Sequence, residues 1–281
     1  MDARLQLRVQ RYGWDRAAAV YEQYWGRQLA PAQERLLALA DIQPGERILE
    51  IACGTGLVTF PAAAATGRDG YVLATDISDE MVKSIAAEAM RRGLPQLHSH
   101  RAAAEETVAP DHPFDVALCA LGLMYVTDPQ AVARAMYGAL RPAGRCVVAV
   151  WGARKDCGWA EIFPIVERRV ASEVCPLFFQ PGGGDALKLT LEAAGFRDLV
   201  VERIPTTLEY ASAEDACGAA FAGGPVALAY ARFDDATKAE VHGEYLESIA
   251  PWRHGDGYRV PGEYVVARAV RRVVDLAPRS P

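Results

Sequence analysis

The sequence predicts an α/β fold in which a mostly parallel, seven-stranded sheet is flanked by helices, with an N-terminal helical lid and a cap. Residues 47–51 are a short apolar run, as expected of a strand buried on both faces, and they lead into a turn at Gly54 and Gly56. A helix over 57–65 follows, and the next apolar strand ends at Asp76. This order of elements indicates half of a nucleoside-binding domain: a strand, a glycine turn, a helix, and a second strand that ends in an acid.

The residues around the turn indicate which nucleoside derivative it suits. The carboxylate of Asp76 can accept hydrogen bonds from both hydroxyls of a ribose. Thr59 stands where a dinucleotide-binding turn has its third glycine, and the carboxylate of Glu50 would repel a pyrophosphate. S-adenosyl-L-methionine (SAM) carries an ammonium and a sulfonium but no phosphate. The turn therefore suits SAM better than it suits a dinucleotide.

The turn also resembles a known motif. Residues 50–56, Glu-Ile-Ala-Cys-Gly-Thr-Gly, are similar to the Glu/Asp-x-Gly-x-Gly-x-Gly motif of the class I SAM-dependent methyltransferases, except that Ala52 replaces the first glycine. Over residues 12–200 the chain resembles the ubiquinone/menaquinone-biosynthesis-like branch of small-molecule methyltransferases. The resemblance implies a Rossmann-like class I methyltransferase fold with SAM as cofactor. It implies a cofactor site formed by Glu50, Ala52, Cys53, Gly54, Gly56, Asp76, Ile77, Met81, Ala104, Leu121 and Tyr21.

Composition sets bounds on the function. A net charge of -6 with dispersed Lys and Arg argues against a nucleic-acid surface. The sequence has no apolar run of about 18 residues, so we expect no membrane span, and its charged N-terminus lacks a signal-peptide core. The six cysteines do not have metal-ligand spacing. We therefore expect a cytoplasmic protein with buried thiols and no metal site.

The N-terminal segment is predicted to be helical over residues 5–29, with a second amphipathic helix over 32–40. The first of these helices is rich in aromatic side chains. Its stretch 14–21 resembles the family segment that folds over the cofactor and shapes the substrate mouth, which implies a substrate-binding role for Trp14. Two interpretations stay open: a lid over the site, or a helix held to the core by aromatic packing.

The adenine site is expected beyond Asp76. The resemblance implies that Ile77 and Met81 sandwich the adenine ring, although core packing is an alternative role for Met81. Ala103 stands where many relatives carry an Asp that holds the adenine amino group. The backbone N–H of Ala104 can still meet an adenine nitrogen, so one side-chain contact to adenine is missing.

Two loops are expected near the substrate. One follows the fourth strand at the carboxyl edge of the sheet, where α/β proteins bind ligands. There the resemblance implies that Leu121 touches the cofactor and Tyr125 faces the substrate. The other loop, 176–184, contains Phe178, Phe179 and three glycines. It is either a mobile cover over the substrate or a connector whose two rings plug the core.

The remaining elements complete the predicted sheet. The later strands are predicted at 97–101, 114–119, 146–151, 199–208 and 264–269. The later helices are predicted to begin near Ser78, Asp128, Trp159, Asp185 and Asp235. We divide the chain into a helical lid (1–41), a SAM-binding core (42–210), a substrate-cap excursion (211–260), and a last core strand with its tail (261–281).

The chemistry expected of such a site is mainly positional. SAM carries its own activation, so in-line orientation in a desolvated pocket supplies most of the catalysis. A general base is needed only for a protonated nucleophile. His242 and Tyr125 are weak candidates for that base, and no His, Asp or Glu cluster has the spacing of a metal site.

The sequence favours methyl transfer from SAM to a small, partly apolar or aromatic molecule. The alternatives are a non-catalytic SAM-binding module and a methyltransferase-fold enzyme with other chemistry. A nicotinamide-dependent oxidoreductase is a further rival, which the missing third glycine opposes. The expected partner is the small-molecule methyl acceptor, with no nucleic acid. The identity of the acceptor and the oligomeric state stay open, a homodimer being one option.

Overall fold

The computed structural model describes residues 3–106, 112–170, 175, 177–224 and 226–272. The strands are β1 Arg47–Ile51, β2 Tyr71–Asp76, β3 Leu97–Arg101, β4 Phe114–Ala120, β5 Leu140–Trp151, β6 Phe196–Tyr210, β7 Arg253–His254 and β8 Gly257–Arg271. The helices are α1 Ala3–Ala17, α2 Tyr21–Ala40, α3 Thr59–Thr66, α4 Asp79–Arg92, α5 Pro129–Ala139, α6 Ile162–Glu167, α7 Ala186–Ala193, α8 Ala213–Cys217, α9 Ala227–Tyr230 and α10 Asp235–Ser248.

The described strands form one sheet in the order β3-β2-β1-β4-β5-β8-β6, with the short β7 paired beside β8. Strands β3, β2, β1, β4 and β5 run parallel to one another. Strand β8 runs antiparallel to β5, β6 and β7. The predicted mostly parallel, seven-stranded sheet with flanking helices is therefore confirmed, and the two-residue β7 is an addition to it.

The central position of β1 brings the predicted site together. In register, Glu50 of β1 lies beside Ala74 of β2 on one side and Leu118 of β4 on the other. The three strands end at nearly the same level, so the glycine turn, Asp76 and the loop after β4 all emerge at one edge. This carboxyl edge is where an open parallel sheet binds its ligands.

The N-terminal helices differ from the prediction. The chain breaks at residues 18–20, where the N–H of Val20 donates to the carbonyl of Ala17, and α2 then continues through Pro31. The predicted break near residue 30 is therefore wrong. Tertiary packing sets the break, because α1 lies against α4 and α9 whereas α2 packs on the sheet, against β4, β5, β6 and β8.

The antiparallel side of the sheet is longer than predicted. Strands β6 and β8 are 15 residues each, and their pairing extends to Leu208 beside Val260 and Tyr210 beside Tyr258. The predicted limits 199–208 and 264–269 are too short. Alternating exposure along β6 explains the error, because this edge strand carries polar side chains where a buried strand would be apolar.

Several other boundaries need correction. Helix α3 begins at Thr59 rather than residue 57, because 54–58 still belong to the turn. Asp185 precedes α7 without a side-chain capping hydrogen bond. The helix predicted from Trp159 is only α6, and residues 171–174 of that prediction lie outside the described part of the chain. By contrast, Ser78 caps α4 as predicted, since its hydroxyl accepts from the N–H of Met81.

Within the described ranges, no helix combines the length and the apolar character that crossing a membrane requires.

Candidate functional site

A cavity opens at the carboxyl edge of the sheet, and we name it the carboxyl-edge cavity. Its walls come from α1, the glycine turn, the end of β2, the segment after β3 and the loop after β4. It is lined by Leu7, Gln10, Trp14, Tyr21, Ala52, Gly54, Asp76, Ile77, Met81, Ala102, Ala104, Glu105, Ala120, Leu121, Gly122, Tyr125 and Val126. Most of the predicted cofactor residues therefore lie around one space.

Asp76 is the fixed acid of this cavity. One carboxylate oxygen accepts from the N–H of Gly54 at 2.9 Å, and the other accepts from the N–H of Ser78 at 2.9 Å. Burial raises the pKa of Asp76, and these backbone hydrogen bonds oppose the rise. Two backbone donors thus fix the carboxylate at the cavity wall, and its remaining lone pairs can accept hydrogen bonds from a ligand.

The glycine turn places a second, smaller cavity next to the first, and we name it the turn cavity. It is lined by Tyr21, Gln33, Glu50, Ala52, Cys53, Gly54, Thr55, Leu57, Val58 and Ala120. Four of these residues, Tyr21, Ala52, Gly54 and Ala120, also line the carboxyl-edge cavity. The predicted residues Glu50 and Cys53 belong to this second space.

Glu50 is almost completely buried and accepts a hydrogen bond from the hydroxyl of Thr59 at 2.6 Å. Burial raises the pKa of Glu50 to about 8, the Thr59 hydroxyl opposes the rise, and the nearby Asp76 adds to it. A carboxyl group with this pKa is mostly protonated at neutral pH. A cationic ligand would favour its ionised form.

Two residues at the carboxyl edge have unusual backbone conformations. Ala52 has φ +56° and Leu121 has φ +59°, both in the left-handed region that side chains disfavour. Alanine in place of the family's glycine at position 52 therefore carries a cost in conformational free energy, which the small size of its methyl group does not reveal. Gly56, with φ +98°, turns the chain beside the Phe60 ring and lines none of the cavities described here.

The N-terminal helices cover the carboxyl-edge cavity. Helix α1 contributes Leu7, Gln10 and Trp14, and the first residue of α2 contributes Tyr21. Polar contacts attach α1 to the start of α4: Asp15 accepts from the hydroxyl of Ser78 at 2.6 Å, and Arg11 pairs with Asp79. Of the two interpretations of this segment, the structure therefore favours a lid.

The adenine prediction can be compared with the cavity wall. Ile77, Met81 and Ala104 all line the carboxyl-edge cavity, whereas Ala103 is buried beside it. Glu105 also lines the cavity, and its carboxylate accepts from both the N–H and the hydroxyl of Thr127 at 2.8 Å. Sequence reasoning missed the position of Glu105, although it is the third residue of the Ala-Ala-Glu stretch.

A third cavity adjoins the carboxyl-edge cavity, and we name it the aromatic cavity. It is lined by Trp14, Tyr21, Trp25, Leu29, Leu121, Tyr125, Trp151, Trp159, Ile162, Phe163, Phe178, Ala220, Gly223, Gly224, Val226 and Tyr245. None of these described lining residues carries a charge. Four of them, Trp14, Tyr21, Leu121 and Tyr125, also line the carboxyl-edge cavity, so the two spaces meet there.

The predicted substrate residues gather mostly in the aromatic cavity. Tyr125 stacks edge-on with Trp14 at 4.9 Å and with Phe178 at 5.3 Å between ring centroids. Phe178 is buried and lines the cavity, whereas Phe179 packs against Phe178 and lies outside the lining. The buried Phe178 favours the interpretation of this loop as a plug.

The two base candidates lie in different places. Nε2 of His242 is 3.0 Å from the hydroxyl of Tyr230, and His242 lines none of the cavities described here. Burial lowers the pKa of His242. Tyr125 lines both large cavities, and burial raises its pKa well above the ordinary value. The Tyr125 hydroxyl is therefore a weak acid that stays protonated at neutral pH.

Among the described residues, no group of three or more His, Cys, Asp or Glu side chains is arranged to hold a metal ion. The six cysteines are all buried and unbridged.

Comparisons with known proteins relate this chain to methyltransferases. Residues 48–144 match a family model described as a methyltransferase domain. The chain is 36% identical to nocamycin O-methyltransferase of Saccharothrix syringae, over 47% of this chain and 47% of that protein. It is 36% identical to the ubiquinone/menaquinone biosynthesis C-methyltransferase of Ectopseudomonas mendocina, over 40% of this chain and 44% of that protein. The chain thus spans less than half the length of these relatives.

A solved structure extends the likeness in fold. Phosphoethanolamine N-methyltransferase 2 of Haemonchus contortus, in complex with S-adenosyl-L-methionine, matches with a TM-score of 0.60 and 16% identity. The match covers 92% of this chain and 57% of that one. The predicted resemblance is confirmed: the chain has the Rossmann-like fold of the class I SAM-dependent methyltransferases, and its residues 48–144 match their domain.

Proposed function

We propose that the protein transfers a methyl group from SAM to a small, partly apolar or aromatic acceptor. The observation that carries the proposal is the junction of the carboxyl-edge and aromatic cavities at Trp14, Tyr21, Leu121 and Tyr125. A donor in the first cavity and an acceptor in the second would meet at these four residues. Such a junction is what direct transfer between two bound molecules requires.

The nucleoside part of SAM fits the carboxyl-edge cavity. The fixed carboxylate of Asp76 would accept hydrogen bonds from the ribose hydroxyls. Ile77, Met81 and Ala104 would give the adenine its apolar walls. The absence of a side-chain acceptor at Ala103 leaves adenine binding to packing and to the backbone.

The amino-acid part of SAM fits the turn cavity. The Glu50 carboxyl group stands there, and a ligand ammonium would favour its ionised form. The hydroxyl of Thr55 is buried in the same wall and has no hydrogen-bond partner among the described residues. A buried polar atom without a partner suits a polar ligand group, here the ammonium or carboxylate of the methionine moiety.

The chain's contribution to the transfer would be orientation and exclusion of water. When bound, SAM supplies the activated methyl group, whose bond to sulfur breaks as the acceptor's electron pair forms the new bond. The aromatic cavity presents neutral rings to the dispersed positive charge of this transition state, and such rings stabilise cations. Neither a carboxylate nor a histidine stands among the described lining residues of that cavity. Transfer would therefore suit an acceptor that needs no strong base, and His242 has no part in the proposal.

In the proposal, each segment of the chain takes its role from the cavity residues that it supplies. Residues 1–41 would act as the lid, because α1 and α2 supply Leu7, Gln10, Trp14 and Tyr21 to the carboxyl-edge cavity. Residues 211–260 would act as the substrate cap, because they supply the lining group Ala220, Gly223, Gly224, Val226 and Tyr245. Residues 42–210 and the last strand β8 would form the core between them, and the predicted tail beyond residue 272 lies outside the described part of the chain. A cytoplasmic location and a small molecule as the partner belong to the same proposal.

The first test is calorimetric titration of the purified protein with SAM, S-adenosylhomocysteine and NAD. We expect both sulfur nucleosides to bind and NAD not to bind. The Asp76→Ala variant should lose this binding, whereas Asp235→Ala, which removes an exposed acid of α10, should keep it. Binding of NAD alone, or of none of the three, would overturn the proposal.

A second measurement separates catalysis from mere binding. The protein is incubated with SAM labelled in its methyl group and a panel of small aromatic and apolar acceptors, and labelled product is collected. Label transferred by wild type and not by Asp76→Ala supports the enzyme. Tight SAM binding without transfer to any acceptor would favour a binding module or an enzyme with other chemistry on the same fold.

A further inference from the structure

Two buried tryptophans of the aromatic cavity have unsatisfied indole nitrogens. Trp25 is 8% exposed and Trp159 is 5% exposed, and both line this cavity. Neither Nε1–H has a hydrogen-bond partner among the described residues. Because folded proteins pair nearly all their buried polar groups, two such donors in one cavity point to a partner that binds there.

The two rings that carry these donors stand close to each other. The ring centroids of Trp25 and Trp159 are 6.2 Å apart, and Trp151 packs against them at 6.1 Å and 4.9 Å respectively. Trp25 comes from α2, whereas Trp159 comes from the segment between β5 and α6. Two segments that are far apart in sequence thus each contribute an indole ring to the wall of the aromatic cavity.

The position of the pair relative to the cofactor is also defined. Trp25 and Trp159 line the aromatic cavity and not the carboxyl-edge cavity, whereas Tyr21, Leu121 and Tyr125 line both. The donors are therefore set apart from the junction where methyl transfer would occur. A group that binds them would belong to the part of the acceptor that does not react.

The chemistry of the walls restricts that group. An indole N–H can only donate, so its partner must be a hydrogen-bond acceptor. The described lining contains no charged side chain that could neutralise an ionic ligand, and aromatic rings make up much of it. An aromatic wall alone would also suit a quaternary ammonium, but such a cation would leave both indole N–H groups unsatisfied. The two features together favour a neutral, flat molecule with a carbonyl oxygen.

We propose that Trp25 and Trp159 recognise a carbonyl oxygen of the methyl acceptor, which is a neutral, flat, largely apolar carbonyl compound. This inference rests on the proposed function, in which the aromatic cavity holds the acceptor. The two tryptophans are specificity-determining residues that hold the acceptor by its distal end. They take no part in bond making or breaking.

The test compares three probes of similar size: 1-tetralone, its hydrocarbon counterpart tetralin, and the trimethylanilinium cation. Each is titrated by calorimetry into protein saturated with S-adenosylhomocysteine. The ketone should bind more tightly than the hydrocarbon, by about tenfold for each hydrogen bond that the two tryptophans donate, and it should bind more tightly than the cation. Equal affinity for ketone and hydrocarbon, preference for the cation, or no binding of any probe would overturn the inference.

Variants assign the effect to the nitrogen atoms. Trp25→Phe and Trp159→Phe should each weaken ketone binding by up to about tenfold and leave tetralin binding nearly unchanged. Trp151→Phe is the matched control for the smaller ring, because its nitrogen is not among the buried unsatisfied atoms. Replacement of Trp25 or Trp159 by 3-benzothienylalanine keeps the bicyclic ring and removes only the N–H. Equal losses for all probes in these variants would indicate a packing role alone.

The outcomes also separate this inference from the proposed function. The calorimetric response to S-adenosylhomocysteine is measured first, before any probe is added. Failure of that binding contradicts the proposed function itself. Normal S-adenosylhomocysteine binding with no preference for the ketone contradicts only the assignment of Trp25 and Trp159.

Discussion

The Cβ of Ala52 fills the space in front of the Cα of Gly122, where β1 and β4 deliver their loops to the carboxyl edge. A side chain added at residue 122 would overlap that Cβ and would also crowd the sulfur of Cys119. Ala52 and the neighbouring Leu121 both have left-handed backbone conformations. The two loops therefore fit together closely at the floor of the proposed cofactor site.

This contact predicts a compensating pair of substitutions. Gly122→Ala should lower the free energy of unfolding by about 2 kcal/mol, because the added methyl group overpacks the loop junction. Ala52→Gly in the same chain should restore more than half of the loss, since it removes the clashing Cβ and relaxes a left-handed residue. Urea unfolding of the two single variants and the double variant measures the coupling. If the changes in the free energy of unfolding from the two single substitutions simply add in the double variant, the two residues do not compete for space.

The buried carboxyl group of Glu50 predicts a pH-dependent stability. Its folded pKa of about 8 lies above the ordinary value of 4.5, so the folded protein binds the proton more tightly than the unfolded chain does. Its stabilising contribution is full below about pH 4.5 and is lost as the pH rises to about 8. The free energy of unfolding of wild type should therefore fall between pH 5 and pH 8 relative to Glu50→Gln.

Urea unfolding at several pH values checks this expectation. Glu247→Gln, which neutralises an exposed acid on α10, is the control and should follow the wild-type profile. Parallel profiles for wild type and Glu50→Gln would contradict a raised pKa at residue 50. Without ligand, Glu50→Gln should be the more stable protein at pH 8, yet it should bind SAM more weakly because it cannot pair with the ammonium.

The contact between α1 and α4 predicts slow release of the cofactor. Asp15 accepts hydrogen bonds from the Ser78 hydroxyl and the N–H of Glu80, and it thereby holds α1 over the carboxyl-edge cavity. Asp15→Ala should raise the dissociation rate of S-adenosylhomocysteine about tenfold, the effect of one lost hydrogen bond to a charged group. Stopped-flow tryptophan fluorescence measures this rate. Arg8→Ala, an exposed change on the same helix, should leave it unchanged.

An unaltered dissociation rate in Asp15→Ala would show that α1 need not move for the ligand to leave. The Arg11 pair with Asp79 would then be the next contact to remove.

The two adjacent phenylalanines predict unequal effects on stability. Phe178 is buried among Tyr125, Trp159 and Phe163, so Phe178→Ala should cost about 3–4 kcal/mol by leaving a cavity. Phe179 is only partly buried, and Phe179→Ala should cost about 1 kcal/mol. Thermal unfolding and SAM titration of both variants test this. Equal small losses would favour a mobile cover over a plug.

The placement of residues around the carboxyl-edge cavity, the proposed cofactor site, was largely predictable from sequence. Its residues follow strand ends, and parallel strand ends meet at one edge of a sheet, so Gly54, Asp76 and Leu121 could be placed together without coordinates. The prediction missed Thr55, although it lies inside the motif itself. A threonine between two glycines gives no signal that its hydroxyl is buried without a partner.

The acceptor side was much less predictable. The aromatic cavity joins Trp25 in α2, Trp159 before α6 and Tyr245 in α10, which are far apart in sequence. Helical periodicity predicts that such residues are buried. It does not show whether they pack against one another or surround a cavity. The break between α1 and α2 was missed for a related reason, because packing against different partners determines it rather than a glycine or proline.

The cavity walls divide the chain into two stretches. The described residues that line the carboxyl-edge cavity lie between Leu7 and Val126, whereas ten of those that line the aromatic cavity lie at Trp151 or beyond. The family match, residues 48–144, falls largely in the first stretch. Changes within residues 151–245 would therefore alter most of the proposed acceptor cavity and leave the lining of the carboxyl-edge cavity unaltered. Grafting residues 151–245 between homologues is consequently a direct way to vary the acceptor of the proposed reaction.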